Sequence, residues 1–380
     1  MQGRHILRCA VRAACLSFSL AAAVAAAQEV VLGQVGPFTV IPVPDAPELN
    51  QGIQAFVKQA NKAGGIRGSK VSFFDLDDRY SADGFVEQYG KALERRPVAL
   101  LAPIGSAALT RMLNDKLLDK GDMVIVNAIP GAESLRSPGH PRLFHLRAGD
   151  KQQIEKIVNH ARTLGTTKMA VLYQDLAIGT SGWAVAEQAA KDVGGLELKG
   201  VKSGTEAAAL AAAAQAMKQL EPQSVLIVGA PRFMADGVAA LRKAEMRQSL
   251  FVLSYVPPGL IVKLAGAEGA RGVGIAQTYP NPNGITLPVQ RDFQAAMKAA
   301  HPNITTYTSF QLEGYLTART VAEALRRAKD PALTPANLEK ALHAAGEMDF
   351  GGYRVDFSKG NVGSKWVDIG VINADGKLRY

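Results

Sequence analysis

Short apolar runs alternate with amphipathic helical patterns along most of this sequence, and this alternation restricts the possible folds more than any other feature. Several runs lack polar alternation, as strands buried on both faces of a sheet do. Between the runs, apolar residues such as Ile53, Phe56 and Ala60 recur at helical spacing. This order predicts an α/β protein with parallel sheets and right-handed crossovers. The apolar runs are 30–35, 71–74, 98–101, 123–126, 169–172, 225–228, 250–253 and 273–276.

The later part of the chain indicates two Rossmann-like lobes rather than one sheet, and 380 residues are enough for two domains. Strand-like segments at 144–148 and 275–280 each lead into new helices, and closing strands are predicted at 353–357 and 367–373. A chain that leaves one lobe, builds a second, returns and crosses again gives two lobes joined by three strands. We predict one lobe from 28–147 and 280–351, a second from 148–279 and 352–380, and a hinge near Arg147-Ala148, Gln277-Thr278 and 353–356.

The first 27 residues have the pattern of a cleaved secretory signal peptide. Arg4, Arg8 and Arg12 precede an uncharged, mostly apolar stretch at 13–26, and three alanines at 25–27 precede Gln28. This stretch is shorter than the roughly 20 residues that an ordinary transmembrane helix needs. We therefore predict an exported protein whose mature chain begins at Gln28.

The remaining residues lack the groups that several function classes require. Both cysteines, Cys9 and Cys15, lie in the predicted signal peptide, so the mature chain has no thiolate nucleophile, disulfide or cysteine-bound metal. Removing the three signal-peptide arginines lowers the net charge from +9 to +6, and the remaining charge is spread along the chain rather than gathered into a nucleic-acid groove.

Motifs for enzymatic catalysis or metal binding are also missing from the sequence. It contains no G-x-S-x-G, H-E-x-x-H or G-x-x-x-x-G-K-[ST] pattern. The histidines after Gln28 do not pair at helical spacing, so we expect no metal, no cofactor and no enzymatic activity. These histidines are His140, His145, His160, His301 and His343.

Several segments together resemble the substrate-binding proteins of branched-chain amino acid ABC transporters, which are periplasmic binding proteins of type I. The resemblance extends over essentially the whole mature chain. It implies a two-lobed periplasmic clamp that closes on a small molecule and delivers it to an inner-membrane permease, and we expect the clamp to be monomeric. The segments are LNQGI at 49–53, NKAGGIRG at 61–68, DD at 77–78, GS at 105–106, GAESLR at 131–136, YQD at 173–175, LEGYL at 312–316 and VDFS at 355–358.

The first candidate ligand contact follows the strand predicted at 98–101. Gly105, Ser106 and Ala107 open a helix there, and free backbone N–H groups, the helix dipole and the Ser106 hydroxyl make a carboxylate site. We also expect Ser106 to be the N-cap of this helix. The resemblance implies that this segment holds the ligand's carboxylate.

The second candidate contact, at Ile129, Pro130 and Gly131, departs from the family pattern. Pro130 stands where the family usually has a threonine, and proline offers neither a hydroxyl nor an N–H group. At least two of the polar contacts that the resemblance implies are therefore missing.

The opposite lobe departs as well. Ile178 stands near the place of a tyrosine that often covers the ligand, and Ser254-Tyr255 follows a strand after which amino-acid binders often carry a glutamate. A buried ammonium group without a counter-charge is costly. We therefore predict a ligand with an anionic or carbonyl end and an apolar body, such as an aromatic or aliphatic carboxylate, while an amino-acid-like ligand stays open. Apolar walls are expected from Phe38, Tyr255 and Tyr279, unless these pack as ordinary residues at strand ends.

Acidic residues near the predicted edges have structural interpretations. Adjacent Asp77 and Asp78 point to opposite faces of a strand, which argues against a shared catalytic or metal site and favours turn capping. Glu313 is expected to cap or pair within the first lobe.

Three functions stay open on the sequence alone. The first is a solute-binding protein for an ABC importer, and the second is a similar clamp that docks on a membrane receptor as a sensor. The third is a secreted α/β enzyme, for which the sequence offers no credible set of catalytic residues.

Overall fold

The computed structural model describes residues 29–40 and 45–380, and the predicted signal peptide lies outside them. Two α/β lobes are built on separate sheets, one of five strands and one of seven. All eight strands predicted from the apolar runs are present. The predicted fold class is therefore confirmed.

The first lobe has a parallel sheet with strand order β2-β1-β3-β4-β5. Its strands are β1 (Val30–Gly36), β2 (Val71–Asp77), β3 (Ala99–Leu101), β4 (Ile125–Val126) and β5 (Leu143–Phe144). Its helices are α1 (Asp45–Lys62), α2 (Ala82–Glu94), α3 (Ser106–Asn114), α9 (Pro288–Ala300), α10 (Ser309–Arg327) and α11 (Pro335–Ala344).

The second lobe has strand order β14-β13-β10-β9-β8-β6-β7, in which β6 to β10 are parallel and β13 and β14 are antiparallel. Its strands are β6 (Lys168–Gln174), β7 (Glu197–Ser203), β8 (Ser224–Val228), β9 (Ser249–Val252), β10 (Gly274–Gln277), β13 (Asp368–Ile372) and β14 (Leu378–Arg379). Its helices are α4 (Asp150–Thr163), α5 (Ala177–Val193), α6 (Ala207–Gln219), α7 (Pro231–Lys243) and α8 (Pro258–Ala270).

Helix α1 shows how the sequence pattern becomes packing. The stripe of Leu49, Ile53, Phe56 and Ala60 is buried against the first-lobe sheet and α10. The helix ends before Gly64 and Gly65, whose φ angles are +90° and +81°, and glycine adopts this region without steric cost. The apolar stripe thus holds α1 against its own lobe.

The start of α3 differs from the prediction by one residue. Gly105, with φ of 104°, is the N-cap, and Ser106 is the first helical residue. The prediction of Ser106 as N-cap is wrong, because the left-handed backbone at Gly105 starts the helix one position earlier. The Ser106 hydroxyl is consequently not used to cap its own helix.

The last crossing between the lobes also lies later than expected. Tyr353, Val355 and Phe357 are buried in the core of the first lobe, where β11 (Met348–Asp349) and β12 (Arg354–Val355) form a small hairpin. The chain rejoins the second sheet only at β13. The predicted boundary at 352 and the third hinge segment at 353–356 therefore differ from the structure, because the apolar side chains there pack in the first lobe. The other lobe boundaries remain our proposal.

Candidate functional site

One buried apolar cluster, here called the interlobe cluster, contains residues of both lobes. Phe38 packs against this buried cluster, which contains Ile129 of the first lobe and Tyr255 of the second. Three predicted site residues thus belong to this cluster or border it. Other first-lobe members of the cluster are Ala46, Leu49, Ala102, Ile104 and Phe310.

The start of α3 presents exposed polar groups at this meeting of the lobes. Ser106 and Ala107 are exposed, and Ser106 makes no side-chain hydrogen bond within the described residues. The ring of Tyr80 lies 3.8 Å from the place where a Cβ of Gly105 would stand. The first N–H groups of a helix have no partner inside the helix, so this end can receive an anion.

Pro130 and Gly131 are buried, and Gly131 is closely surrounded. A Cβ at Gly131 would stand 2.1 Å from the Tyr255 hydroxyl and 2.3 Å from Oδ1 of Asp150. The Gly131 carbonyl also accepts a hydrogen bond from the Asp150 amide, at 2.9 Å. Only glycine fits here, because the second lobe makes van der Waals contact with the first lobe's backbone.

The segment after β9 is held from several sides. The Ser254 amide donates to Oε1 of Gln153 at 2.9 Å, and the Ser254 hydroxyl accepts from Nη2 of Arg147. The Tyr255 hydroxyl donates to Oδ1 of Asp150 at 2.5 Å, and the Arg147 guanidinium lies 4.8 Å above the Tyr255 ring. Tyr255 is therefore a second-lobe member of the cluster, and Ser254 precedes it in the chain.

Two other predicted residues are placed elsewhere. Ile178 lies half-buried in the first turn of α5, outside the buried cluster. Tyr279 is fully buried in the first-lobe core, where its hydroxyl donates to Oε1 of Glu313 at 3.2 Å and its ring packs on Tyr353. Tyr279 is therefore wrong as a wall facing the ligand, because its ring and its hydroxyl are both committed to the first-lobe core.

A buried ion pair beneath the site was not predicted. Arg147 and Glu313 pair at 3.3 Å, and each side chain is only 1% exposed. Burial raises the pKa of Glu313, and Arg147 and Asn127 oppose that shift. The one signal in the sequence was a glutamate inside the otherwise apolar pattern at 312–316. Its expected pairing is present, but the partner comes from the crossing between the lobes.

Two acids at the start of α1 were also not identified as site residues. Asp45 is 5% exposed, and no Lys, Arg or His of the described residues pairs with Asp45 or Glu48. Burial raises the pKa of each to about 7, although backbone N–H groups oppose this for Asp45 and the Thr308 side chain opposes it for Glu48. These carboxyl groups therefore change charge near neutral pH at the edge of the interlobe cluster.

The interpretation of Asp77 and Asp78 as turn-capping residues is confirmed. Oδ1 of Asp77 accepts from the amides of Phe38 and Arg79, at 2.9 and 3.1 Å. Oδ1 of Asp78 accepts from the amide of Tyr80 at 2.8 Å. The two carboxylates thus fix the loops that present Phe38 and Tyr80.

Metal binding and membrane insertion find no support among residues 29–40 and 45–380. Across these residues, no group of three His, Cys, Asp or Glu side chains is placed to hold a metal ion. None of the helices that the structure describes is both long and apolar enough to span a membrane.

Comparison with known proteins decides the family. The profile described as "Periplasmic binding protein" matches residues 29–377. The chain belongs to the periplasmic binding protein family. A comparison with curated protein sequences finds no match.

Solved structures of other periplasmic binding proteins have the same fold. An extracellular ligand-binding receptor from Verminephrobacter eiseniae is 59% identical, with a TM-score of 0.89, and the match covers 93% of this chain and 100% of that one. A substrate-binding periplasmic protein from Ralstonia solanacearum is 26% identical, with a TM-score of 0.81 and coverage of 92% and 99%. A branched-chain amino acid ABC transporter protein from Thermus thermophilus, with bound valine, is 17% identical, with a TM-score of 0.77 and coverage of 93% and 95%. The last of these supports the fold of this binding protein and not its ligand.

Proposed function

We propose that this protein captures a small carboxylate ligand between its two lobes and delivers it to the permease of an ABC importer. It acts in the periplasm as a monomer after loss of residues 1–27, and it binds without catalysing a reaction. This proposal rests mainly on the start of α3 at Gly105, Ser106 and Ala107, which follows Ile104, a member of the interlobe cluster. Ser106 and Ala107 are exposed there. An anion at the helix end with its apolar body against the cluster satisfies both features.

Binding follows the physics of a clamp. A ligand that contacts both lobes stabilises the closed arrangement by its differential affinity for the closed and open states. The close approach of Gly131 to Tyr255 and Asp150 indicates how tightly the lobes meet on one side of the site. The expected ligand is an aromatic or aliphatic carboxylate.

A thermal-shift screen of residues 28–380 with carboxylic acids, amides and amino acids tests this proposal. A ligand at about 100 times its Kd adds roughly 2.7 kcal/mol to the free energy of unfolding, which raises Tm visibly. No shift with any carboxylate would overturn it.

Substitution of Ser106→Ala then tests the site itself. We expect the Kd of the best carboxylate to rise about tenfold to a hundredfold, because the loss of one hydrogen bond to a charged group costs about 1.5–3 kcal/mol. The free energy of unfolding without ligand stays unchanged, because Ser106 does not cap α3. Thr110→Ala, one turn further along α3 and also exposed, is the matched control. Unaltered affinity of the Ser106 variant in titration calorimetry would remove α3 from the site.

A sensor that docks on a membrane receptor is the second candidate, and this chain's 59% identity to an extracellular ligand-binding receptor favours it. The two functions differ in what the closed clamp activates. A transporter reconstituted in vesicles hydrolyses ATP faster with the loaded clamp if the protein serves import. A sensor leaves that rate unchanged.

A further inference from the structure

The Arg147 side chain joins both lobes at the base of the site. One guanidinium nitrogen, Nη1, donates to Oε2 of Glu313 on the first-lobe helix α10 at 3.3 Å. The other, Nη2, donates to the hydroxyl of Ser254 in the second lobe, and the guanidinium plane covers Tyr255. Its third nitrogen, Nε, is buried without a partner in the described residues.

The partners of Arg147 fix its charge and its orientation. Glu313 also accepts hydrogen bonds from Nδ2 of Asn127 at 3.0 Å and from the Tyr279 hydroxyl at 3.2 Å. This carboxylate is therefore held rigidly and cannot follow a ligand. A guanidinium stays protonated in proteins, so Arg147 acts as a permanent donor toward Ser254.

This donation determines what Ser254 can offer to a ligand. A hydroxyl has one proton and two lone pairs. Because the Ser254 oxygen accepts from Arg147, its own proton points away from the guanidinium. Ser254 is half-buried, and its hydroxyl has no acceptor among the described residues.

We propose that Arg147 is a specificity-determining positioning residue, which polarises the Ser254 hydroxyl into a donor and so selects a ligand with an anion or carbonyl group facing the second lobe. This inference rests on the proposed carboxylate-binding function and deepens it. For a ligand with an ammonium group at that place, one of the two lone pairs of Ser254 is already used by Arg147, whose guanidinium lies close by. The ligand class is therefore an acid with a second acceptor group, such as a 2-oxo acid.

Matched pairs of probes test the donor polarity. Each pair is an amino acid and its 2-oxo acid, which differ only in an ammonium or a carbonyl beside the carboxylate: leucine and 4-methyl-2-oxopentanoate, valine and 3-methyl-2-oxobutanoate, and phenylalanine and phenylpyruvate. Titration calorimetry with residues 28–380 gives the ratio of the two Kd values. We expect the 2-oxo acid of at least one pair to bind about tenfold more tightly, since a mismatched buried polar group typically costs 1–3 kcal/mol.

Three variants connect that preference to Arg147 and Ser254. The double variant Arg147→Gln/Glu313→Gln removes both charges of the buried pair and so avoids leaving one unpaired. We expect its ratio to fall to about 1, and the ratio of Ser254→Ala to fall likewise. Ser254→Thr retains a hydroxyl and the preference. A variant that only disturbs the structure weakens the binding of both ligands of a pair equally, and the ratio of their Kd values stays unchanged.

Each outcome has a definite reading. Preference for the amino acid overturns this inference and leaves the carboxylate clamp intact. Preference for the 2-oxo acid that survives both the double variant and Ser254→Ala removes Arg147 and Ser254 from the explanation. No binding of any carboxylate, including those of the thermal-shift screen, overturns the proposed function and this inference together. If the double variant fails to fold, the comparison of Ser254→Ala with Ser254→Thr alone decides between these outcomes.

Discussion

Asp45 shows how a single buried group makes stability depend on pH. Its pKa is raised to about 7 from 3.8, mainly by burial. Below pH 3.8 the carboxyl group is protonated in both the folded and the unfolded chain, and its burial then does not lower the free energy of unfolding. Between pH 3.8 and about 7 the unfolded chain loses this proton while the folded chain keeps it, so the free energy of unfolding falls as pH rises. Above pH 7 the folded chain has a buried carboxylate, and the full loss in the free energy of unfolding is present.

We therefore predict that Asp45→Asn stabilises the protein, by up to about 4 kcal/mol at pH 8, taking about 1.4 kcal/mol per pKa unit. The gain shrinks steadily toward pH 4. Urea unfolding at several pH values measures it, and Asp122→Asn, at an exposed position, is the control. A gain that is the same at pH 4 and pH 8 would show that the Asp45 carboxyl is not desolvated.

Residues differ in how well the sequence alone predicts their roles. The turn-capping role of Asp77 and Asp78 follows from the geometry of a strand, because neighbouring side chains point to opposite faces. The ion pair of Arg147 with Glu313 joins positions 166 residues apart. No local pattern indicates such a contact, because it exists only after both lobes have formed. The proposed donor role of Ser254 depends on this pair, so the sequence alone does not indicate it.

At the scale of elements, the contact of α1 with α10 positions two buried carboxyl groups near the interlobe cluster. The two helices approach so closely that a Cβ at Gly52 would stand 1.9 Å from the Gln311 carbonyl oxygen. In the reverse direction, a Cβ at Gly314 would stand 2.0 Å from the Leu49 carbonyl oxygen. Asp45 begins one of these helices and Glu313 lies on the other, so their separation sets the positions of both carboxyl groups.

We predict that Gly52→Ala lowers the free energy of unfolding by about 2–3 kcal/mol, because the added methyl group forces the helix backbones apart. Chemical denaturation measures this change. Gly90→Ala in α2 is the matched control, since a Cβ there meets no atom within 4 Å. This control is expected to gain about 0.5–1 kcal/mol, because alanine favours a helix more than glycine does. Equal stability of the two variants would contradict the close contact.

Elements were predicted well where their pattern was long and poorly where it was short. Helix α1 and the eight apolar strands follow from periodicity, because each buries a continuous stripe or run. The segment 353–357 reads as a strand in either lobe, and only packing assigns its side chains to the first. The one-residue error at Ser106 arose because the φ of 104° at Gly105 has no signature beyond the glycine itself.

At the scale of the whole molecule, Tyr380 connects parts of the chain that belong to different lobes. Its hydroxyl donates to Oε1 of Gln277, at the end of β10, with a separation of 3.0 Å. It also lies 3.4 Å from the hydroxyl of Ser309, which opens α10 in the first lobe and itself donates to Gln277 at 2.9 Å. The three side chains thus link the second-lobe sheet to the first lobe beside a crossing of the chain.

We predict that Tyr380→Phe shifts the clamp toward the open arrangement while leaving each lobe folded. The Tyr380 hydroxyl holds the Gln277 side chain that accepts the interlobe hydrogen bond from Ser309. Loss of this support weakens the link by about 1 kcal/mol, which changes a ratio of closed to open molecules by about fivefold. Residues 28–380 contain no cysteine, so Thr110→Cys in α3 and Ala184→Cys in α5 give one spin label on each lobe. Pulsed electron–electron double resonance then reports the distribution of distances between the two labels.

Tyr307→Phe is the control, because the Tyr307 hydroxyl makes no hydrogen bond within the described residues and its ring packs on Phe293 inside the first lobe. A distribution for Tyr380→Phe that matches the control would mean that the crossings of the chain alone set the balance between open and closed.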